Sequence, residues 1–477
     1  MARKNLLFVF ADQWRRAAIG YAGEDPVFTP NMDQFAASGV FCTNAVSACP
    51  LCSPHRASLL TGKQPLSTGV FTNCKTGLSM KLKDNEVTLG EILQRAGYRT
   101  GYIGKWHLDE PEQNREQEPL SGAKNWDAYT PPGPGRHGFE EWYSYGAWDN
   151  HFHPHYWRDT PEMIRVAQWS PEHETDRAIE FMNREDDRPF ALVLSWNPPH
   201  TPYEMVPQRY VEQYRNRELS FRGNVKPEHL HCHTGEIMDF TPQQLMEKTR
   251  EYYAAVTGLD DQFGRLLSAL RAAGHLEDTC IVLSADHGDM LGSHGLMAKH
   301  VWYEESVGIP LILAGPGLTP GICGSVIGSA DILPTLLDWM GLSIPKTVEG
   351  ASFFPQIQQH VKEDESLSFL CACPGRDVFL KEFAESRKDP KDFGWRAVRT
   401  GRWMYVADVG YSPQPKLRRY LYDLKNDPLQ MNPKCLEAPA QDVVAERLEQ
   451  TLVKFLRQQK DGFIAHLCLD GKGDGNQ

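Results

Sequence analysis

The sequence predicts an α/β protein: a large, mostly parallel sheet sandwiched by helices, followed by a smaller C-terminal α+β unit. Three observations predict it. Short, continuous apolar runs rich in β-compatible residues recur, and each stops at polar residues. Helical patterns lie between the runs. From about Ser366 the alternation gives way to short strands, turns and one amphipathic helix.

The first run, "NLLFVFA", stops at Asp12-Gln13, and "TPNMDQFAAS" follows as a helix. A second helix, "EVTLGEILQRAG", leads into "YRTGYIG", which stops at Lys105-Trp106-His107. The helix "PEHETDRAIEFMNRE" precedes "PFALVLSW", which stops at Asn197 and then His200. A long helix is expected from Thr241 to about Ala273, with Thr241-Pro242 as its cap and first turn and Gly274 as its stop. It leads into "TCIVLSA", which stops at Asp286-His287. Ligands of such sheets bind at the carboxyl ends of the strands, where all four polar clusters fall. Residues 110–160, rich in Pro, Gly, His and aromatics, are too long for an ordinary connection and suggest a substrate-covering insertion. The charged "HVKEDES" places a boundary near residue 362, giving a catalytic unit over 1–362 and a C-terminal unit over 363–477. "WRAVRTGRWMYVAD" and "RRYLYDLKNDP" are its strands and "AQDVVAERLEQTLVKFLRQ" its closing helix.

With 477 residues, 41% of them hydrophobic and 23% charged, the chain has the make-up of a soluble enzyme with a sizeable core. A net charge of -12 argues against nucleic acid as a partner, whereas a small anionic substrate needs only a local cluster of cations. The basic start and the run "LLFVFA" are too short for a secretory signal, and no segment approaches a membrane span, so a cytoplasmic location is expected. The eleven cysteines show no paired zinc spacing, and most read as small core residues.

The stretch "ACPLCSPHRASLLTGK" poses the sharpest choice. Cys49 and Cys52 form a C-x-x-C pair, which would be a redox site if it opened a helix in a thioredoxin-like unit. Plain buried thiols are another reading. The third joins Cys52 to the residues after it: Cys52-Ser53-Pro54-His55-Arg56 and Leu60-Thr61-Gly62 resemble the signature of the type I sulfatases, in which the cysteine is oxidised to formylglycine. "GKWHL" at 104–108, "PPHTP" at 198–202, "SADHGDMLGSHGLMAKH" and the late "LYDLKNDP" resemble later elements of that family in order. His55 stands where the family usually has Ser.

The resemblance implies an alkaline-phosphatase-like fold and a sulfuric ester hydrolase acting on a small sulfated molecule, such as a sulfated sugar. It implies one divalent cation held by Asp12, Gln13, residue 52, Asp286 and His287. Their oxygen donors favour Ca²⁺ or Mg²⁺, Ca²⁺ first, and the imidazole keeps Mn²⁺ open. It further implies that Lys105 and Lys299 bind sulfate, His107 holds or deprotonates the diol of residue 52, His200 protonates the leaving oxygen and Arg56 orients the diol. A formylglycine-generating or anaerobic maturase would be a partner. Residue 52 at a helix start would meet the anion with backbone N–H groups. If the strand persists, Lys105 and His107 share one face.

Plainer roles exist for each group: capping for Asp12 and Asp286, a core histidine for His200, a solvated loop cation for Lys299. Trp148, Asn150, His151, His153, His155 and Trp157 suit either sugar stacking or packing. Asp289 and His294 receive no role. The alternatives to a sulfatase are a phosphonate monoester or phosphodiester hydrolase of the same superfamily, a non-catalytic anion binder with Cys52 left as thiol, and a C-x-x-C oxidoreductase.

Overall fold

The computed structural model describes residues 4–228, 230–232 and 240–468. Eight strands form the large sheet: β1 (Asn5–Asp12), β2 (Val40–Val46), β3 (Arg99–Lys105), β4 (Glu141–Tyr145), β5 (Phe190–Pro199), β6 (Thr279–Ala285), β7 (Leu311–Ala314) and β8 (Gly321–Gly328). Their order is β8-β2-β7-β6-β1-β5-β3-β4, and only β7 runs against its neighbours. The four runs picked out by their apolar sequence are β1, β3, β5 and β6. They are adjacent and parallel, so their carboxyl ends open on one side.

β1, β3, β5 and β6 are buried along their whole length. Helices cover both faces, which leaves no solvent-facing register and explains the absence of apolar–polar alternation. Each fully buried Leu, Val or Phe contributes about 1.5–3 kcal/mol, which fixes these strands as the rigid frame of the molecule. The helices used below are α1 (Pro30–Ser38), α2 (Cys52–Thr61), α3 (Leu89–Arg95), α4 (Ser170–Met182), α5 (Pro242–Ala272), α6 (Ser329–Met340) and α7 (Val443–Gln459). α5 starts with a reciprocal capping box: Gln244 N–H donates to Thr241 Oγ1 and Thr241 N–H to Gln244 Oε1. α3 begins three residues later than its pattern suggests, because Thr88 serves as its cap.

The region 110–160 is more than an insertion. It supplies β4, which extends the sheet by pairing parallel with β3. Its aromatic composition hid a short edge strand.

The second sheet is antiparallel, with β9 (Leu367–Ala372), β10 (Gly394–Thr400), β11 (Trp403–Gly410), β12 (Arg418–Asp423) and β13 (Lys434–Leu436) in sequential order. One face packs on α7 through Val398, Tyr405, Leu448 and Leu452. The other meets the large unit through Trp395, Met404, Val46 and Val307. Cys371 N–H of β9 donates to Ala48 O (2.8 Å), tying this sheet to the segment that leads into α2.

Candidate active site

Strand ends and one helix start build the site. Asp12 closes β1, Lys105 closes β3, Asn197 lies near the end of β5, Asp286 and His287 follow β6, and Cys52 opens α2. All ten residues of α2 are buried, its N-cap Leu51 offers no capping side chain, and Asn73 Oδ1 accepts the Ser53 N–H (3.1 Å) in the first turn instead. Ser47 Oγ and Ser329 Oγ both lie 2.9 Å from His55 Nδ1, pinning α2 to the preceding loop and to α6. The site thus begins on a helix that cannot shift without breaking the core.

Asp12, Cys52, Asp286 and His287 each present one ligand atom, all within 4.8 Å of one another and all buried. His287 Nδ1 donates to Gly288 O (3.0 Å), so its Nε2 carries a lone pair. That lone pair faces Asp12 Oδ1 at 3.5 Å and Asp286 Oδ1 at 3.6 Å. Asp286 Oδ1 accepts the Gln13 N–H, but Asp12 Oδ1 and His287 Nε2 meet only the weakly donating Cys52 thiol, and buried acceptors converging in this way favour positive charge at their centre. The donor set fits one divalent cation.

Two cations of the chain already neutralise the outer oxygens. Arg56 Nη2 lies 3.1 Å from both Asp12 Oδ2 and Asp286 Oδ2, and its Nη1 donates to Lys105 O and Ser195 Oγ at 2.7 Å. Lys105 Nζ lies 2.8 Å from Asp12 Oδ2 and donates to Asn197 Oδ1 (3.0 Å). Burial raises the Asp12 pKa, but Lys105, His200, Arg56 and His287 more than offset it and leave the carboxyl well below its usual range. Burial also opposes the charge on Lys105, yet Asp12 keeps its pKa above the ordinary value. Burial, and then Asp12, push the Cys52 thiol up to about 12, so an unmodified thiol is a poor nucleophile at neutral pH.

Gly104 is held at φ +98°, and a Cβ there would lie 2.1 Å from Ser195 O, so the turn into Lys105 requires glycine. The strand ends at Lys105, and His107 sits in the left-handed region at φ +54°. The expected shared strand face of Lys105 and His107 is therefore replaced by a turn. Ser53 Oγ donates to His107 O (2.6 Å), which brings His107 beside the start of α2. Burial and the Lys105 and Arg56 charges hold His107 neutral. Its Nε2–H donates to Cys74 O (3.1 Å), and its buried Nδ1 has no partner. A lone pair is thus available at Nδ1.

Lys299 Nζ donates to Gln13 Oε1, and Gln13 Nε2 donates to Asp289 Oδ2 (2.5 Å). The Gln13 backbone N–H donates to Asp286 Oδ1 (3.0 Å). Asp289 also accepts from Tyr203 Oη, so it and Tyr203 fix the orientation of the Gln13 amide. His200 lies between two cis prolyl bonds, Pro198–Pro199 and Thr201–Pro202. Its Nδ1 donates to Thr201 O (2.8 Å) and lies 3.3 Å from Asp149 Oδ1. The Asp149 carboxyl is raised by burial but lowered further by His200, Lys105 and Asn197, so it stays ionised.

The site residues named from the sequence thus gather in one place: all but His107 are joined by hydrogen bonds or ion pairs, and His107 is tied to the start of α2 through Ser53. Sequence reasoning missed Asn197, Asp149, Asp289 and Tyr203. Asn197 stood at the end of an apolar run, which was a usable signal; Asp149 lies in aperiodic sequence that gave none. In the aromatic loop, His151, His155 and Trp157 are buried. His151 donates to His200 O, His155 pairs with Asp127 and Trp157 donates to Ser121 O, so they pack rather than meet ligand. Asn150 Oδ1 accepts from His153 N–H. His294 stacks on Tyr303 at 3.8 Å, outside this network.

The C-x-x-C pair does not form. Cys49 packs with Leu51, Leu66 and Cys371 beside the second sheet, whereas Cys52 faces the carboxylates. No disulfide occurs among the described residues.

A family model described as Sulfatase matches residues 4–342, and one described as N-sulphoglucosamine sulphohydrolase, C-terminal, matches residues 292–459. The chain belongs to the sulfatase family. It is a sulfuric ester hydrolase on an alkaline-phosphatase-like fold. It is 31% identical to an endo-4-O-sulfatase of Bacteroides thetaiotaomicron over 98% of this chain and 94% of that one. It is 32% identical to an ulvan-active sulfatase of Formosa agariphila, covering 97% and 82%. A B. thetaiotaomicron structure from work on the metabolism of multiple glycosaminoglycans superposes with a TM-score of 0.84 at 30% identity, covering 98% and 99%. In this sulfatase no described helix is long and apolar enough to cross a membrane.

Proposed function

We propose that this sulfatase removes sulfate from a sulfated carbohydrate, using formylglycine made from Cys52 and one divalent cation, Ca²⁺ before Mg²⁺ or Mn²⁺. The carrying observation is the convergence of Asp12, Cys52, Asp286 and His287, flanked by Lys105, Arg56 and Lys299. The endo-4-O-sulfatase and ulvan-active sulfatase relatives support a sugar substrate.

Asp12, Asp286, His287 and residue 52 would hold the cation, with Gln13 beside them. When bound, it lowers the pKa of an oxygen on residue 52 and neutralises charge on the sulfuryl oxygens. Hydrated formylglycine supplies an oxygen nucleophile, with a second hydroxyl that later expels sulfate, a role for which a neutral thiol is unsuited. The chain's own residues do the rest. Arg56 sets the two carboxylates that flank residue 52, and so orients its diol through Asp12 and Asp286. His107, as the Nε2–H tautomer, accepts a proton at Nδ1 from a hydroxyl of residue 52. Lys105 and Lys299 bind sulfuryl oxygens. Asn73 holds the Ser53 N–H, Pro54 has none and the His55 N–H goes to Leu51 O, so the start of α2 contributes its dipole rather than a set of free N–H groups. His200, doubly protonated beside the Asp149 carboxylate, keeps its Nδ1–H on Thr201 O and gives its Nε2 proton to the leaving oxygen as general acid, ending as the neutral Nδ1–H imidazole. A formylglycine-generating or anaerobic maturase completes the system as a partner.

The test is a screen of sulfated mono- and disaccharides for sulfate release, on protein whose residue 52 has been checked by peptide mass. Sulfate release by formylglycine-bearing protein is expected. Preference for an aryl phosphonate over every sulfate ester would replace this reading with a phosphonate hydrolase. A purely thiol-bearing, inactive protein from a host with the maturase would favour the anion binder.

A further inference from the structure

Beside the reaction centre lies an open cavity of about 420 Å³, lined by Asn125, Trp126, Trp148, Asp149, Asn150 and Met205. Its size falls in the range of small-molecule sites. Trp126 is 41% exposed, an unusual state for a large aromatic in this chain, and its inner side stacks on the His107 ring at 6.2 Å and 28°. The Asp149 side chain is 48% exposed. Its Oδ1 accepts from Asn197 Nδ2 (3.0 Å) and faces His200 Nδ1, while Oδ2 has no donor among the described residues. Asn197 in turn accepts from Lys105. A free acceptor therefore stands two hydrogen bonds from Lys105, through Asn197, and a flat apolar face stands on the ring of His107.

We propose that this cavity seats the sugar ring that carries the scissile sulfate, with Trp126 as its stacking face and Asp149 as acceptor for the hydroxyl next to the ester. The assignment rests on the carbohydrate-sulfatase reading above and adds a rule to it. A pyranose presents an apolar C–H face, which suits an exposed indole, and hydroxyl donors at its rim, which suit an ionised carboxylate. A second sulfate at the adjacent position would instead face a like charge at short range in a partly desolvated pocket. The enzyme should therefore take rings with a free neighbouring hydroxyl and reject vicinally disulfated ones. Asn125, Trp126 and Asp149 come from the aperiodic 110–160 segment, so the rule lies in the part of the chain that the buried frame leaves variable.

The test uses the full chain with formylglycine confirmed by mass, and three probes: methyl hexosides monosulfated at each position in turn, their vicinally disulfated derivatives, and 4-nitrophenyl sulfate. The wild type is expected to prefer the best monosulfated hexoside over its disulfated derivative by about 100-fold in kcat/KM. Asp149→Asn should lower kcat/KM on the monosulfated ring about 10- to 100-fold and collapse that preference. If Asp149 merely positions His200, both substrates fall together and the preference is unchanged, which overturns the proposal. Trp126→Ala should raise KM for the hexoside at least about tenfold with kcat nearly kept, and Trp126→Phe should restore most of it. An unchanged KM in Trp126→Ala overturns the stacking role. Turnover of a sulfated disaccharide from the screen above with no preference between monosulfated and vicinally disulfated rings sinks this inference alone, whereas turnover of 4-nitrophenyl sulfate with no turnover of any sulfated mono- or disaccharide sinks the underlying carbohydrate reading.

Discussion

Arg56→Ala is the most direct probe of how the site is held together. The guanidinium, 1% exposed, bridges Asp12 and Asp286 at 3.1 Å each and stands over the Phe10 ring at 4.8 Å. At an effective dielectric of about 20, each contact is worth about 5 kcal/mol of gross attraction, most of it offset by the cost of burying the charges. Removing one partner leaves the others buried and uncompensated, a loss of about 3–5 kcal/mol. With an unfolding entropy of about 2.1 cal/mol/K per residue, 477 residues lose about 1 °C in Tm per kcal/mol, so a drop of about 3–5 °C is expected in chelator. Calcium should then recover more Tm in Arg56→Ala than in the parent, because two carboxylates are left wanting charge. The assay is thermal unfolding by near-UV circular dichroism, in chelator and in excess calcium. A variant within about 1 °C of the parent, with the parent's calcium response, would refute the view that Arg56 balances the two carboxylates.

Three further outcomes are expected. Cys52→Ala should abolish sulfate release while Cys49→Ala keeps at least about half of it and loses about 1 kcal/mol of stability, since Cys49 only fills space beside Cys371; turnover and denaturant titration check both. Burial lowers His137 and His151 to about 4, so each binds its proton more readily when unfolded. The share these two contribute is full above about pH 6.5 and is lost as pH falls from there toward 4, at up to about 2.7 kcal/mol per pH unit; urea titrations at stepped pH measure it as the difference in slope between the parent and the His137→Gln/His151→Gln double variant. Removing metal with a chelator should abolish turnover and lower Tm, and calcium at about 100 times its Kd should restore about 2.7 kcal/mol; calorimetry gives the number.

Much of this was legible because buried parallel strands leave an unmistakable mark. A strand covered on both faces must be apolar throughout, so its polar end stands out, and Asp12, Lys105, Asn197 and Asp286 were visible as ends in the bare sequence. Glu141–Tyr145 and Leu311–Ala314 were not, being short and set among aromatics or glycines. Asp149 and Trp126 were invisible for a different reason. Their positions are set by contacts to Asn197 and His107, not by any repeat in their own segments. The stacking role suspected for Trp157 and His155 failed on burial, which no count of aromatics reveals.

The sealed surroundings of residue 52 carry a consequence for how the enzyme is made. Its side chain is 1% exposed, the helix it opens is enclosed, and the loop before it is bonded to the second sheet. No external catalyst can grip that segment once the chain has closed around it. On the formylglycine reading proposed above, conversion to the aldehyde would have to take place on the nascent or unfolded polypeptide, and each molecule's competence would be settled at birth: late exposure to a maturase would leave a folded, thiol-bearing population untouched.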